Sequence, residues 1–281
     1  MANESTIALR NLAFKYPGSD RLILNEINAL IRSGEFLAVI GPNGSGKSTL
    51  ARLICGLLRP TQGQVLVDGL SSADSRNQIE VRRQVGLVLQ NPDNQIVAAR
   101  VEEDVAFGPE NLNLPSTEIH YRVNHALEKV GLGHLKDRPP HLLSGGEKQR
   151  LATAGLLALR PAFLILDEPT SMLDPIGRRG VLEVLRGLAA EGTAIVLITH
   201  NMDEAVVADR IWVLRSGQLV ADGAPGSIFG DPVVSEKLEF ELPRVTRLSN
   251  ALAGYGLNVP AGIVNTDDMV CFLCRLFKQT S

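Results

Sequence analysis

The chain has 281 residues, of which 44% are hydrophobic and 21% charged, and carries a net charge of −3 at pH 7. That balance excludes a disordered chain and a broad nucleic-acid-binding face, so any phosphate ligand must be held by a local device. No stretch approaches the roughly 18 uninterrupted apolar residues of a membrane helix, and "MANESTIALR" lacks the charged-then-apolar pattern of a signal peptide, which predicts a cytosolic chain, free or bound to another component.

Near the N-terminus the alternating segments "IALRNLAFKY" and "GQVLVDG" predict antiparallel strands of a small β subdomain. Between them "FLAVI", Phe36 to Ile40, is an apolar run of the length and composition of a buried parallel strand. It leads into "GPNGSGKST", and that setting of strand, Gly-rich turn and helix makes a phosphate-binding loop of Gly41, Pro42, Asn43, Gly44, Ser45, Gly46, Lys47, Ser48 and Thr49. Glycines let backbone N–H groups turn inward around an anion, and the helix N-terminus adds partial positive charge. Lys47 is placed to reach the β and γ phosphates of a nucleotide, and Ser48 to ligate Mg²⁺.

The next segment, "NPDNQIVAARVEEDVAFGPEN" (Asn91 to Asn111), mixes apolar and charged residues. Ile96, Val97, Val101, Val105 and Phe107 suit an apolar docking floor, with Glu102, Glu103 and Asp104 as a charged rim for basic residues of a partner. The plainer alternative is a solvated helix whose apolar positions face its own core; it accounts for the spacing but not for three adjacent acids. From about Ser116 to Gly133, apolar residues at helical spacing predict a helical insert.

"LSGGEKQR", Leu143 to Arg150, places a second glycine pair behind a serine at the start of a helix. It reads as a second anion site, and one nucleotide does not need two. "FLILD", Phe163 to Asp167, is another buried strand; Asp167 is placed to hold Mg²⁺ through water, and Glu168 to point at the water that attacks the γ phosphate. Taken alone, either acid is equally an N-cap or half of an ion pair. "AIVLIT", Ala194 to Thr199, is a third buried strand, and all three end where an open α/β sheet places its chemistry.

After Gly230 the pattern changes to two or three short amphipathic helices broken by Pro243, Gly254, Gly256 and Pro260. Cys55, Cys271 and Cys274 give no even disulfide framework and indicate a reducing compartment. "CFLC" has redox or metal spacing, but a single pair without a nearby histidine, set among Met269, Val270, Leu273, Leu276 and Phe277, reads as a buried helical stripe.

The two glycine motifs followed by "FLILDEP" resemble the ATP-binding cassette (ABC) ATPases, over Ile7 to about Phe229. The resemblance implies a P-loop NTPase α/β core of ABC-ATPase type, with an antiparallel β subdomain, an α-helical subdomain over about 91–160, and a small C-terminal helical appendage. It divides the chain into a nucleotide-binding domain, 1–230, and an extension, 231–281. It implies ATP and Mg²⁺ as ligands, with Ser144, Gly145 and Gly146 of one subunit capping the γ phosphate held by the phosphate loop of another. By the same resemblance Tyr16 stacks on adenine, Gln90 contacts Mg²⁺ and the attacking water, His200 holds the γ phosphate, and Asp174 in "SMLDP" approaches the opposite subunit's phosphate loop. Asn201 stands where many importers of the family have Asp, a departure that leaves the phosphate contact intact.

The Asn91 to Asn111 segment most resembles the energy-coupling ATPases of energy-coupling-factor (ECF) importers, which take up vitamins and transition-metal ions such as cobalt and nickel. That implies a peripheral protein on the cytoplasmic face of the membrane, paired with a second ATPase subunit, itself or a paralogue. An integral-membrane coupling subunit docks at Asn91–Asn111, a separate membrane subunit binds the substrate, and no nucleic acid is involved. The C-terminal extension is similar to the family's dimerising tail; a tail folded on its own domain is the alternative. ATPases of other ABC transporters share the nucleotide chemistry, and soluble ABC ATPases acting on nucleic acid or ribosomes fit less well, since this chain has one cassette, no heptad-rich insertion and no basic face.

Overall fold

The computed structural model describes residues 5–230 and 241–279. Strands β1 (Thr6–Phe14), β2 (Leu24–Arg32), β4 (Gln62–Val67) and β5 (Leu70–Ser71) form an antiparallel sheet in the order β2-β1-β4-β5. Ile7 opposes Ile31 on one side and Val67 on the other, which keeps the apolar positions of three strands on one face.

The second sheet runs β10 (Gln218–Gly223), β9 (Arg210–Arg215), β3 (Phe36–Ile40), β8 (Ala194–Ile198), β7 (Phe163–Asp167) and β6 (Val85–Val88). Neighbours are parallel except β10, which closes one edge as an antiparallel hairpin with β9. The three apolar runs of the sequence are thus β3, β8 and β7, side by side, with every residue buried. Burial on both faces is why they show no polar alternation.

Successive side chains divide between two cores. Leu37, Val39, Ile165 and Val196 pack with β1, β2 and α1 (Lys47–Ile54). Phe36, Ala38, Ile40, Leu164 and Leu197 pack on the other face against Val181, Leu185 and Leu188 of α6 (Pro175–Ala190). Each of the larger of these side chains, Ala38 aside, stabilises the fold by roughly 1.5–3 kcal/mol when removed from water, before entropic costs.

A third core belongs to α3 (Val101–Asn111), α4 (Ser116–Lys129) and α5 (Gly145–Leu157), which join Val105, Val123, Leu127, Leu151 and Ala154. Here the structure corrects the expectation that Ile96, Val97, Val101, Val105 and Phe107 together give an apolar docking floor. Val101 and Val105 are fully buried between α4 and α5, while Val97 and Phe107 are exposed. The acids have local partners. Asp104, 9% exposed, accepts from the N–H groups of Val97 and Ala98, and Glu102 and Glu103 both pair with Arg100. Favourable interaction of acids with the first turn of α3 adds a further reason for the cluster.

The expected boundary at 230/231 falls beside residues outside those described. Beyond it, α9 (Arg244–Gly254) is tied to the cassette through Asp203, which accepts from the N–H of Arg244 at 2.9 Å and pairs with its guanidinium at 3.0 Å. Along α10 (Thr266–Gln279), Met269 is buried, Leu273 and Leu276 are half-buried, and Val270 and Phe277 are exposed. Cys271 and Cys274 are exposed, contrary to the expectation of a buried stripe around them. At about 100° per residue, positions two and five beyond Met269 turn away from the side that packs on the fold. No helix among the described residues is long and apolar enough to cross a membrane.

Candidate nucleotide site

The turn from β3 into α1 is built around two glycines that tolerate no side chain. Gly41 has φ +156°, and a Cβ there would lie 2.1 Å from the Leu214 carbonyl oxygen of β9. Gly46 has φ +105°, and its Cβ would lie 2.6 Å from Leu24 Cδ2. The loop therefore nests directly on the neighbouring backbone. Gly46 caps α1 without any side-chain hydrogen bond, so the first amides of that helix have no acceptor within it.

Lys47, 6% exposed, donates from Nζ to the carbonyl oxygens of Gly41 at 2.8 Å and Pro42 at 3.1 Å. Burial holds its ammonium below the usual lysine range, against the opposing pull of Glu168 and Asp167. Burial likewise pushes the Asp167 carboxyl above its ordinary range, with a hydrogen bond from Ser48 working the other way. Ser45 Oγ is buried without a hydrogen-bond partner among the described residues.

Free helix amides, a buried cation and an unsatisfied hydroxyl fit a phosphate chain. The Ser48 and Asp167 pair fits Mg²⁺, which takes one or two protein ligands and completes its shell from phosphate and water. Among the described residues no group of three or more His, Cys, Asp and Glu side chains forms an all-protein metal site.

A cleft of about 790 Å³ opens over this loop, lined by Tyr16, Lys47, Gln90, Glu168 and His200 together with Gly41, Pro42, Asn43, Gly44, Gly46, Ser48 and Thr49. Tyr16 closes one flank, its hydroxyl 3.1 Å from Thr49 Oγ1 and its ring edge-on to Phe14 at 4.9 Å. On the other side the Glu168 carboxylate is held at both oxygens. Gln90 Nε2 donates to Oε2 at 3.0 Å, and His200 Nδ1 lies 3.2 Å from Oε1. Glu168 has φ +51°, a left-handed backbone uncommon for a side-chain-bearing residue, anchored by its N–H on the Ile198 carbonyl at 3.0 Å. Strain of this kind, about 1–3 kcal/mol, persists where surrounding structure over-determines it.

Ser144, Gly145 and Gly146 do not line that cleft. Ser144 caps α5 in a reciprocal box: its hydroxyl accepts from the Glu147 N–H at 3.3 Å, and Glu147 Oε2 accepts from the Ser144 N–H at 2.7 Å. The Ser144 N–H and the Ser144 hydroxyl, which donates to the same carboxylate oxygen at 2.9 Å, hold the Glu147 carboxyl below its usual range. Ser144 and Gly145 are exposed beside Met172, whose Cβ is 3.9 Å from the position of a Cβ on Gly145. Asp174 caps α6, accepting from the Gly177 N–H at 2.7 Å.

Two polar residues that bind the site together carry no motif. The Gln95 carboxamide accepts from the Leu89 N–H at 2.7 Å and donates to the Leu87 carbonyl at 2.8 Å, prolonging the edge of β6 just before Gln90. Glu204, buried next to the His200 loop, bonds Thr170 and Thr199. An amide or acid at such positions is identifiable only once its distant partners are known.

A family model described as "ABC transporter" matches residues 24–171. The chain is 47% identical over 273 residues to the energy-coupling factor transporter ATP-binding protein EcfA1 of Caldanaerobacter subterraneus subsp. tengcongensis, covering 96% of this chain and 99% of that one. It is 52% identical over 260 residues to the protein of the same name from Symbiobacterium thermophilum, covering 92% and 91%. Among solved structures it is similar to cbiO1 of Clostridium perfringens, described as part of the ABC transporter complex cbiONQ, with a TM-score of 0.75 at 38% identity over 87% of this chain and 98% of that one. A dimeric ATP-binding cassette in a post-hydrolysis state with ADP and Pi matches with a TM-score of 0.71 at 29% identity, over 78% and 98%. With its glycine-rich turn from β3 into α1, its acid at the end of β7 and this likeness over nearly its whole length, the chain belongs to the ABC transporter ATPases, in the branch of the energy-coupling factor transporter ATP-binding proteins.

Proposed function

We propose that this chain is the ATP-hydrolysing subunit of an ECF-type importer of a vitamin or a transition-metal ion, working as one half of an ATPase pair on the cytoplasmic face of the membrane. The observation that carries the reading is the convergence of Lys47, Gln90, Glu168 and His200 on one cleft over a glycine cradle. The loop amides and Lys47 bind the β and γ phosphates, and Tyr16 flanks the adenine. Ser48 and Asp167, with Gln90, would hold Mg²⁺, which would supply neutralisation of phosphate charge.

Glu168 acts as general base: its carboxylate accepts a proton from the attacking water while Gln90 and His200 fix its orientation. His200 also presents its ring to the γ phosphate. Ser144, Gly145 and Gly146 lie outside the cleft of their own chain and, with Ser144 and Gly145 exposed and Gly146 half-buried at the start of α5, are available to complete the cleft of a second ATPase subunit. ATP affinity that is higher in the closed pair drives closure, and loss of the γ phosphate removes that preference. The exposed Val97 and Phe107 then serve as the apolar contacts for a membrane subunit.

The test is purification of the full chain with its native membrane neighbours in mild detergent. The reading expects a small integral-membrane protein to co-purify, and to be lost when Val97 and Phe107 are both changed to Asp. Absence of any membrane protein with the unaltered chain contradicts the importer assignment.

A further inference from the structure

Glu204 is 2% exposed and lies on α7 (Met202–Ala205), a single turn capped by Asn201. Hydrogen-bond donors from two loops meet on its carboxylate, with a cation from a neighbouring helix beside them. Thr170 Oγ1 donates to Oε1 at 2.8 Å, Thr199 Oγ1 to Oε2 at 2.7 Å, and Asn201 Nδ2 to Oε1 at 3.3 Å. Arg178 Nε lies 3.2 Å from Oε1 without hydrogen-bond alignment, so that contact is an ion pair.

The origin of these donors is what gives the cluster its meaning. Thr170 follows Glu168 and Pro169, Thr199 and Asn201 flank His200, and Arg178 stands on α6. Strands β7 and β8 register the roots of the two loops as far as Asp167 opposite Ile198. Beyond that pair the loops leave the sheet, and Glu204 spans them. A buried carboxylate is tolerated only when its oxygens are satisfied, so the two loops must keep the spacing that satisfies it.

We propose that Glu204 is a positioning residue for ATP hydrolysis: by bridging Thr170, Arg178 and Thr199 it sets the contact between Glu168 and His200. Glu204 does not line the phosphate cleft and acts through those two residues. The inference rests on the assignment of Glu168 and His200 to the reaction. Displacement of a reacting group by about 1 Å costs up to about a hundredfold in rate, so the effect belongs in kcat rather than in nucleotide binding.

The experiment measures ATP hydrolysis against ATP concentration, and affinity for a fluorescent ATP analogue, in the full chain purified with its membrane partners. The variants are Glu204→Gln, Thr170→Val, Thr170→Ser and, as control, Glu168→Gln. The expected result is a fall in kcat of about tenfold or more for Glu204→Gln and Thr170→Val with KM within about threefold, and recovery of most activity in Thr170→Ser, which keeps the hydroxyl. If Glu204→Gln does not fold, the Thr170 pair carries the test. A kcat within about twofold of the unaltered chain in Glu204→Gln or Thr170→Val overturns the inference, as does equal impairment of Thr170→Val and Thr170→Ser. Glu168→Gln separates the two claims: if it retains turnover, the catalytic assignment itself fails, whereas an inactive Glu168→Gln beside an active Glu204→Gln removes only the positioning role.

Discussion

Gln90 donates its carboxamide N–H to the Glu168 carboxylate across 3.0 Å, joining the segment after β6 to the end of β7. The second carboxylate oxygen meets His200 Nδ1 at 3.2 Å. An acid held at both oxygens loses little orientational freedom when water arrives, which is what a general base requires. Gln90→Ala and His200→Ala should each lower kcat by about 10²-fold while ATP affinity changes only a few-fold. Steady-state hydrolysis paired with nucleotide titration checks this, and a loss confined to affinity counts against it.

The phosphate loop makes a contrast between two glycines. A Cβ on Gly41 would lie 2.1 Å from a backbone carbonyl that cannot swing aside, whereas one on Gly44 meets nothing within 4 Å. Gly41→Ala should therefore abolish measurable nucleotide binding, a loss of at least about 2.7 kcal/mol if affinity falls a hundredfold. Gly44→Ala has only its positive φ to accommodate, about 1–2 kcal/mol, and should keep binding. Calorimetric titration with ATP distinguishes them.

In the segment after Gln90, exposure divides the apolar residues by role. Val105→Asp puts a charge into the core of α3, α4 and α5 and should cost several kcal/mol of stability. Val97→Asp and Phe107→Asp alter exposed positions and should shift thermal unfolding by no more than about 0.5 kcal/mol each. Thermal melts of the three variants provide the comparison; equal destabilisation by all three would mean that Val97 and Phe107 are structural.

The cap of α5 has a pH signature. The Glu147 carboxyl is held below its usual range by the backbone and hydroxyl of Ser144. A depressed carboxylate contributes stability that is fully present above the unfolded value of about 4.3 and is lost as pH falls through the lower folded value. Glu147→Gln should therefore melt below the unaltered chain at pH 7, and the gap should narrow as pH falls below about 4.3. A gap that widens on acidification would show that the cap does not rely on the charged form.

The strands that carry the site are legible in the sequence because "FLAVI", "FLILD" and "AIVLI" are short apolar runs ended by turn residues, and burial on both faces of a sheet is what such runs accommodate. The phosphate loop is legible for a similar reason: its glycines, lysine and hydroxyls are contiguous. The Asn91–Asn111 segment is not. Val101 and Val105 stand four residues apart, a spacing that serves a docking face and a helix core equally, and only the packing of α4 and α5 decides between them. Asp104 reads as a surface acid, yet it satisfies two loop amides. Gln95 and Glu204 escape a linear reading altogether, because buried polar residues are explained by partners that the fold brings from elsewhere.

The central claim is that the cleft hydrolyses ATP with Glu168 as base, and its most direct test is steady-state ATP hydrolysis by the full chain purified with its membrane partners, beside the Glu168→Gln variant. The account predicts ATP binding in both and a fall in kcat of about 10²–10⁴-fold in the variant. Turnover in Glu168→Gln close to that of the unaltered chain would contradict it.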